Sequence, residues 1–122
     1  REPFTGVLVS YHPTGELHVR ALIREGRNHG LYESFQKDGT LSSRMKYAHG
    51  ELHGPYEIFH DTGWVEFRGT YKNGLMNGIW VYYLEDQSLQ VVSNYKGGEL
   101  RDHWCFRDAE MVDYSACEFA SR

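Results

Sequence analysis

The chain has 122 residues and a formal net charge of −4, with 40% apolar and 15% aromatic residues, among them nine Tyr and three Trp. That length suits one domain with a usable core, and the aromatic content excludes a disordered segment. No apolar run reaches the roughly 18 residues of a membrane helix, so the chain is expected to be soluble. No basic stripe is dense enough to track a phosphate backbone, which sets nucleic acid aside as a partner.

The charge is uneven: residues 6–101 carry a net −1 and residues 102–122 a net −3. An acidic tail of this kind reads first as solvated surface. The chain opens on Arg1 rather than Met, which implies a cut or processed N-terminus; a removed signal peptide and simple trimming fit equally well.

A strict period of 24 residues runs through the sequence. Gly6, Gly30, Gly54 and Gly78 share one register, with Asp102 in the fifth slot. Gly26, Gly50, Gly74 and Gly98 share a second. Gly15, Gly39 and Gly63 share a third, with Gln87 in the fourth copy. Two apolar columns run between them: Tyr11, Phe35, Phe59, Tyr83 and Leu17, Leu41, Val65, Leu89. A fixed period without insertions marks a repeat array. It divides the chain into repeats 6–29, 30–53, 54–77 and 78–101, followed by a partial fifth repeat and a C-terminal cap over 102–122.

Taken in order, each repeat splits into two strand-like halves. In the first repeat, Leu17, Val19, Ala21 and Ile23 alternate with His18, Arg20, Leu22 and Arg24, and period two with β-branched residues argues for a strand. Pro13-Thr14-Gly15 supplies the hairpin turn before it. Glu25-Gly26-Arg27-Asn28-His29-Gly30 carries Gly at both ends, as a bulged or four-residue connection would. The second repeat turns at Lys37-Asp38-Gly39. The third turns at Asp61-Thr62-Gly63 and continues through Val65, Phe67, Gly69 and Tyr71. In the fourth, Glu85-Asp86-Gln87 lacks Gly, so that turn is expected to be strained or differently shaped. Residues 109–119 read equally as a short helix or as a strand that folds Cys117 back toward Cys105; either caps the last edge.

A second aromatic column, Tyr32, Tyr56, Trp80 and Trp104, stands three residues before the Phe/Tyr column. Without a bulge the two columns fall on opposite faces; with one they share a face.

The stretches Gly54-Pro55-Tyr56-Glu57-Ile58-Phe59-His60-Asp61-Thr62-Gly63 and Tyr71-Lys72-Asn73-Gly74-Leu75-Met76-Asn77-Gly78 resemble the MORN repeat (membrane occupation and recognition nexus), in its longer bacterial variant. The resemblance spans residues 6 to about 104. It implies an all-β fold: a single-layer twisted antiparallel meander of about four hairpin repeats with a C-terminal capping segment. Bacterial proteins similar to this one are commonly grouped as antitoxins or immunity proteins, so the resemblance implies direct contact with a cognate toxin and occlusion of its active site. A scaffold or membrane-adjacent adaptor built on the same repeat is the alternative. Gln87, Asp102 and the tail after Arg107 depart from the pattern and suggest that the array decays toward its C-terminus.

No reactive centre is legible. His29 and His53 share a column, as do His12 and His60, but the columns continue with Asn77 and Arg101 or Gln36 and Leu84, and cannot assemble three or four ligands. Glu33 and Glu57, one repeat apart, read as strand carboxylates on a polar face. No catalytic residue, metal or cofactor is expected. Cys105 and Cys117 are either small half-buried thiols or a disulfide that clips the last segment in an oxidising compartment.

The candidate partner-binding residues are Arg20, Arg44 and Arg68, which share one register, with Tyr32, Tyr56 and Trp80, which share their face if no bulge intervenes. Arg beside Tyr and Trp is the composition of binding hot spots. The bland alternative is that these arginines cover aromatic surface with their stems and pair with Glu33, Glu57 and Glu66. A one-layer sheet with this many aromatics needs cover from the tail, a second copy or another protein. A protein partner, a toxin or effector, is therefore expected, with a homodimer also open and a membrane disfavoured by the net charge.

Overall fold

The computed structural model describes residues 2–84 and 87–118, the last of these by its backbone alone. The expected strained turn therefore lies partly outside the described residues, at Glu85 and Asp86. The strands are β1 (Gly6–Tyr11), β2 (Leu17–Arg24), β3 (Arg27–Phe35), β4 (Leu41–Ala48), β5 (Glu51–Phe59), β6 (Val65–Lys72), β7 (Leu75–Met76), β8 (Gly78–Tyr83), β9 (Leu89–Lys96), β10 (Glu99–Arg107) and β11 (Glu110–Val112). A four-residue helix, α1 (Ser115–Glu118), follows. All strands join one antiparallel sheet in chain order, with β7 pairing β6 just before the chain enters β8. The all-β meander expected from the alternation and the resemblance is the fold observed. The ambiguous tail resolves into both readings, a strand at 110–112 and a helical turn at 115–118.

Two turn types alternate. The turns that follow the second strand of each repeat are tight: Glu25–Gly26, His49–Gly50, Asn73–Gly74 and Gly97–Gly98 all have positive φ at both residues, the geometry that matches strand twist in a two-residue hairpin. Of the bulged and four-residue connections expected at Glu25–Gly30, the bulged one is observed: a two-residue turn at Glu25–Gly26, with the second glycine serving a bulge further along the strand. These turns also stack. The Gly50 amide donates to the Asn28 carbonyl, Gly74 to Leu52 and Gly98 to Met76, at 2.8–3.0 Å. The turns inside repeats use Gly63 and its equivalents at positive φ, and Gln87 adopts φ 65° in the same slot. The backbone demand survives there although the glycine does not.

The bulges set which way each side chain points. In β2–β3, Ala21 faces Tyr32 while Ile23 faces Asn28, so β3 carries two extra residues around Gly30. In β4–β5 the same count surrounds Gly54, between Met45↔Tyr56 and Tyr47↔Leu52. An even insertion preserves the faces. In β9–β10 only one residue is extra, Arg101, between Tyr95↔Leu100 and Asn94↔Asp102. Gly30, Gly54 and Gly78 have φ of 109°, 116° and 83°, whereas Asp102, in the equivalent slot, is outside the positive-φ set. An aspartate is costly at such angles, and the bulge there contracts. A one-residue slip inverts every side chain beyond it. Cys105, the equivalent of Val81, therefore lands on the opposite face from Val81.

The core sits on one face of the sheet, here the aromatic face. Trp80 is 1% exposed and its ring meets Phe67 at 4.9 Å, Tyr71 at 5.1 Å, Tyr56 at 5.7 Å and Tyr95 at 6.5 Å. Edge and tilted ring contacts at such distances add to area burial. Gly69 makes room for this: a Cβ there would lie 2.0 Å from Trp80 Cδ2. Gly69→Ala is expected to destabilise by about 1–3 kcal/mol through overpacking, read by urea denaturation; an unchanged midpoint would mean the indole moves aside freely.

The inverted register at Cys105 builds a second, smaller core on the same face. Cys105 and Cys117 form a disulfide with Cα atoms 5.9 Å apart, so of the two thiol readings the clip is the one observed. The bridge packs with buried Leu84 and with Leu89, Val91, Val112, Tyr114 and Ala116. His103 stacks on Tyr114 at 4.1 Å. Asp113 accepts from the Ser115 amide at 2.9 Å and caps α1; those hydrogen bonds hold its carboxyl below the usual aspartate value.

Candidate functional site

Cross-strand partners share a face, so the pairings define a continuous row on the other side of the sheet. It runs Val9, Arg20, Glu33, Arg44, Glu57, Arg68, Val81, Val92, Trp104. Its centre alternates cation and anion across five neighbouring strands, and both its ends are apolar. This side is the ladder face.

Arg20 donates from Nε and Nη2 to Glu33 Oε1 at 3.2 and 2.5 Å. Arg44 donates in the same way to Glu57 Oε1 at 2.9 and 2.7 Å. These pairs are exposed on the arginine side, so each contributes about 0–1 kcal/mol and is screened by salt. Arg68 behaves differently. Its Nη2 donates to the Tyr83 hydroxyl at 3.1 Å, and its guanidinium lies 5.7 Å from the Tyr83 ring centre. Arg44 lies over Phe59 at 5.9 Å.

The six candidate binding residues therefore split. Arg20, Arg44 and Arg68 stand on the ladder face; Tyr32, Tyr56 and Trp80 stand on the aromatic face. The reason is local: Arg20, Arg44 and Arg68 pair across to Glu33, Glu57 and Val81, and Tyr32, Tyr56 and Trp80 are the immediate neighbours of those residues, which alternation sends to the other side. Trp80 is in the core rather than on a contact surface. The aromatics that do accompany the arginines belong to the Phe/Tyr column, Phe59 and Tyr83. The odd offset of three between the columns was the available signal. The pairing with Glu33 and Glu57 was anticipated as the plainer reading and is observed; Glu66 takes no part in the ion pairs among the described residues.

The exposed aliphatics of the strands gather mainly on the ladder face: Val7, Val9, Leu22, Leu31 and Ile79 are each 39–54% exposed. Two hollows follow from this. One, of about 260 Å³, lies among Val7, Leu22 and Leu31 beside the Arg20–Glu33 pair. The other, of about 390 Å³, lies among Pro55, Thr70, Ile79 and Val81 beside Arg68. Sequence reading missed Pro55, Ile79 and Val81, because nothing in their spacing separates them from core positions until the bulges are known. Trp104 was placed with the aromatic column and sits instead at the end of the ladder row, carried there by the Arg101 slip.

A further hollow, of about 640 Å³, belongs to neither face. It lies at the turn end near Glu25, Arg27, His29 and His49, where His29 Nδ1 accepts from the His49 amide at 3.1 Å. His53 does the same for Asn73, and His12 Nε2 meets the Phe35 carbonyl at 2.8 Å. These histidines brace backbone. Among the described residues no three His, Cys, Asp or Glu side chains gather as a metal group, and no helix is long and apolar enough to cross a membrane.

On the aromatic face, burial raises the pKa of Tyr47 above its ordinary value, with Tyr32 and Tyr56 adding to the shift. Burial does the same for Tyr71, with Tyr56, Tyr47 and Tyr95 adding. A group whose pKa folding raises stabilises the fold while it stays neutral. That contribution is complete below about pH 10 and is lost as pH rises through the folded values. An ultraviolet titration is expected to show a late-ionising tyrosine class whose ionisation coincides with alkaline unfolding. Simultaneous ionisation of all tyrosines, with the fold intact, would contradict this.

A sheet of stacked hairpins built from such repeats is a repeat-based protein-binding module. A family model described as MORN repeat variant matches residues 52–73, so the chain carries a repeat of that family across β5 and β6. No curated protein matches the chain.

Proposed function

We propose that the chain is an antitoxin or immunity protein that neutralises a bacterial toxin by direct contact, laying its ladder face over the toxin's active site. One observation carries the reading: ring packing and the disulfide-clipped cap engage the aromatic face around Trp80 and Cys105, while the ladder face leaves aliphatic hollows beside arginines exposed. Aliphatic surface flanked by Arg and aromatic rings is what a protein contact uses. The MORN repeat match supports a binding role without specifying the partner. In this reading the chain has no reactive centre, and its effect is occlusion.

The test is protection in cells. The gene beside this one is expressed alone and together with it, and the two products are purified through a tag on one. Growth arrest relieved by coexpression, with a stoichiometric complex, is the expected result. Arrest that persists at equal expression would refute the toxin reading, and retention on anionic vesicles without any protein partner would replace it with the adaptor.

A further inference from the structure

The ladder alternates charge, and its two ends are not alike. Arg20 and Arg44 each hold a carboxylate through two hydrogen bonds. Arg68 ends the run: on one side its cross-strand partner Glu57 is already bound by Arg44, and on the other stands Val81 in place of a third glutamate. Among the described residues Arg68 meets no carboxylate within ion-pair distance. Its guanidinium is oriented by the Tyr83 hydroxyl and ring. A guanidinium fixed by one contact keeps its remaining donors in a fork suited to a carboxylate.

The surroundings define what else a ligand must carry. Ile79 is 53% exposed, and with Pro55 and Val81 it forms the apolar floor of the hollow beside Arg68, whose lining also includes Glu57, its carboxylate held by Arg44. Beyond Val81 the row continues through Val92 to Trp104. A cation with an apolar shelf on one side accepts an acidic side chain whose neighbour is aliphatic.

Resting on the protein-binding reading above, we propose that the Arg68 hollow is the anchor point for the partner. It takes a segment that presents a glutamate or aspartate to Arg68 and an adjacent aliphatic side chain to Ile79 and Val81. Charge complementarity selects the occupant: among the three ladder arginines, Arg68 alone has no carboxylate within ion-pair distance among the described residues, since the neighbouring Glu57 is bound by Arg44. The hollow at Val7 and Leu22 is flanked by a cation already paired, and offers an acidic residue nothing.

The probe is a pair of capped dipeptides, acetyl-Glu-Leu-amide and acetyl-Gln-Leu-amide, titrated against the whole chain. The readouts are the nitrogen–proton resonances of the Arg68 side chain and the Gly69, Thr70 and Ile79 amides. The glutamate peptide is expected to give saturable shifts centred there, with about tenfold weaker binding of the glutamine peptide. Arg68→Gln should abolish the difference, and Arg68→Lys should restore part of it. Equal shifts from both peptides, shifts centred on Arg20 or Arg44, or shifts that track self-association of the chain would each overturn the proposal. This arm needs no partner, so it stays readable if the toxin reading fails. Conversely, a partner whose Kd is unchanged by Arg68→Gln sinks the anchor and leaves partner binding standing.

Discussion

Trp80→Ala will lower stability by about 3–5 kcal/mol, the cost of emptying a large buried aromatic site. For a domain of this size that is a fall in melting temperature on the order of 10–20 °C. Trp80 is the largest fully buried side chain among the described residues, and its removal leaves Phe67, Tyr71, Tyr56 and Tyr95 facing a hole. Gly69 has no side chain with which to fill it. The indole Nε1 is buried without a hydrogen-bond partner, so the residue contributes through packing, and Trp80→Phe should recover much of the loss. If Trp80→Ala melts within about 3 °C of the wild type, the indole is not the centre of the aromatic face.

Replacing Cys105 and Cys117 together by serine is expected to cost about 3 kcal/mol. The bridge closes a loop with a sequence separation of 12, which in the chain-entropy account gives an effect of that size. Two buried hydroxyls replacing the bridge add a desolvation penalty. The damage should be local. Leu84, Val91, Val112 and Tyr114 lose their packing centre, while β1 to β6 keep their pairing. Hydrogen exchange should therefore quicken over β10, β11 and α1, with the ring cluster around Trp80 still protected. Uniform loss of protection along the sheet would show that the cap supports the whole array. In the wild type a reductant should act slowly, because Cys105 and Cys117 are 1% and 0% exposed and exchange needs access to sulfur.

These two sites show what the sequence could and could not give. The period of glycines was enough to place the hairpins, and alternation in the second half of the first and third repeats located β2 and β6. Both follow from backbone demands that leave a residue-level mark. The faces left no such mark. They depend on whether a bulge inserts an even or an odd number of residues, and that is decided at one position per repeat. Gly30 and Gly54 insert two residues and preserve the faces, whereas Asp102 inserts one and inverts them. Read as mere decay of the pattern, Asp102 instead turns Cys105 toward Cys117 and sends Trp104 to the ladder face. The arginine register was legible from spacing alone. Its companions were assigned one residue off, because Glu33 and Tyr32 are neighbours and only the pairing reveals which of them faces Arg20.

The consequence for function is a division of labour between the two sides. Aromatic residues that look like hot spots in the sequence stabilise the sheet, and the surface proposed for a partner is a charged row with aliphatic shoulders. Rim charges of this kind set association rate and salt dependence more than affinity, while a desolvated anchor dominates the energy.

The most direct measurement is a binding isotherm between this chain and the product of the neighbouring gene, comparing Leu22→Lys with Ile79→Lys on the ladder face against Met111→Lys on the cap. All three positions are exposed, so the fold should tolerate each change. If the ladder face is the contact surface, the combined ladder-face substitutions weaken binding at least about a hundredfold, roughly 3 kcal/mol, and Met111→Lys leaves it unchanged. Equal affinity for the wild type and the ladder-face variant would contradict the account.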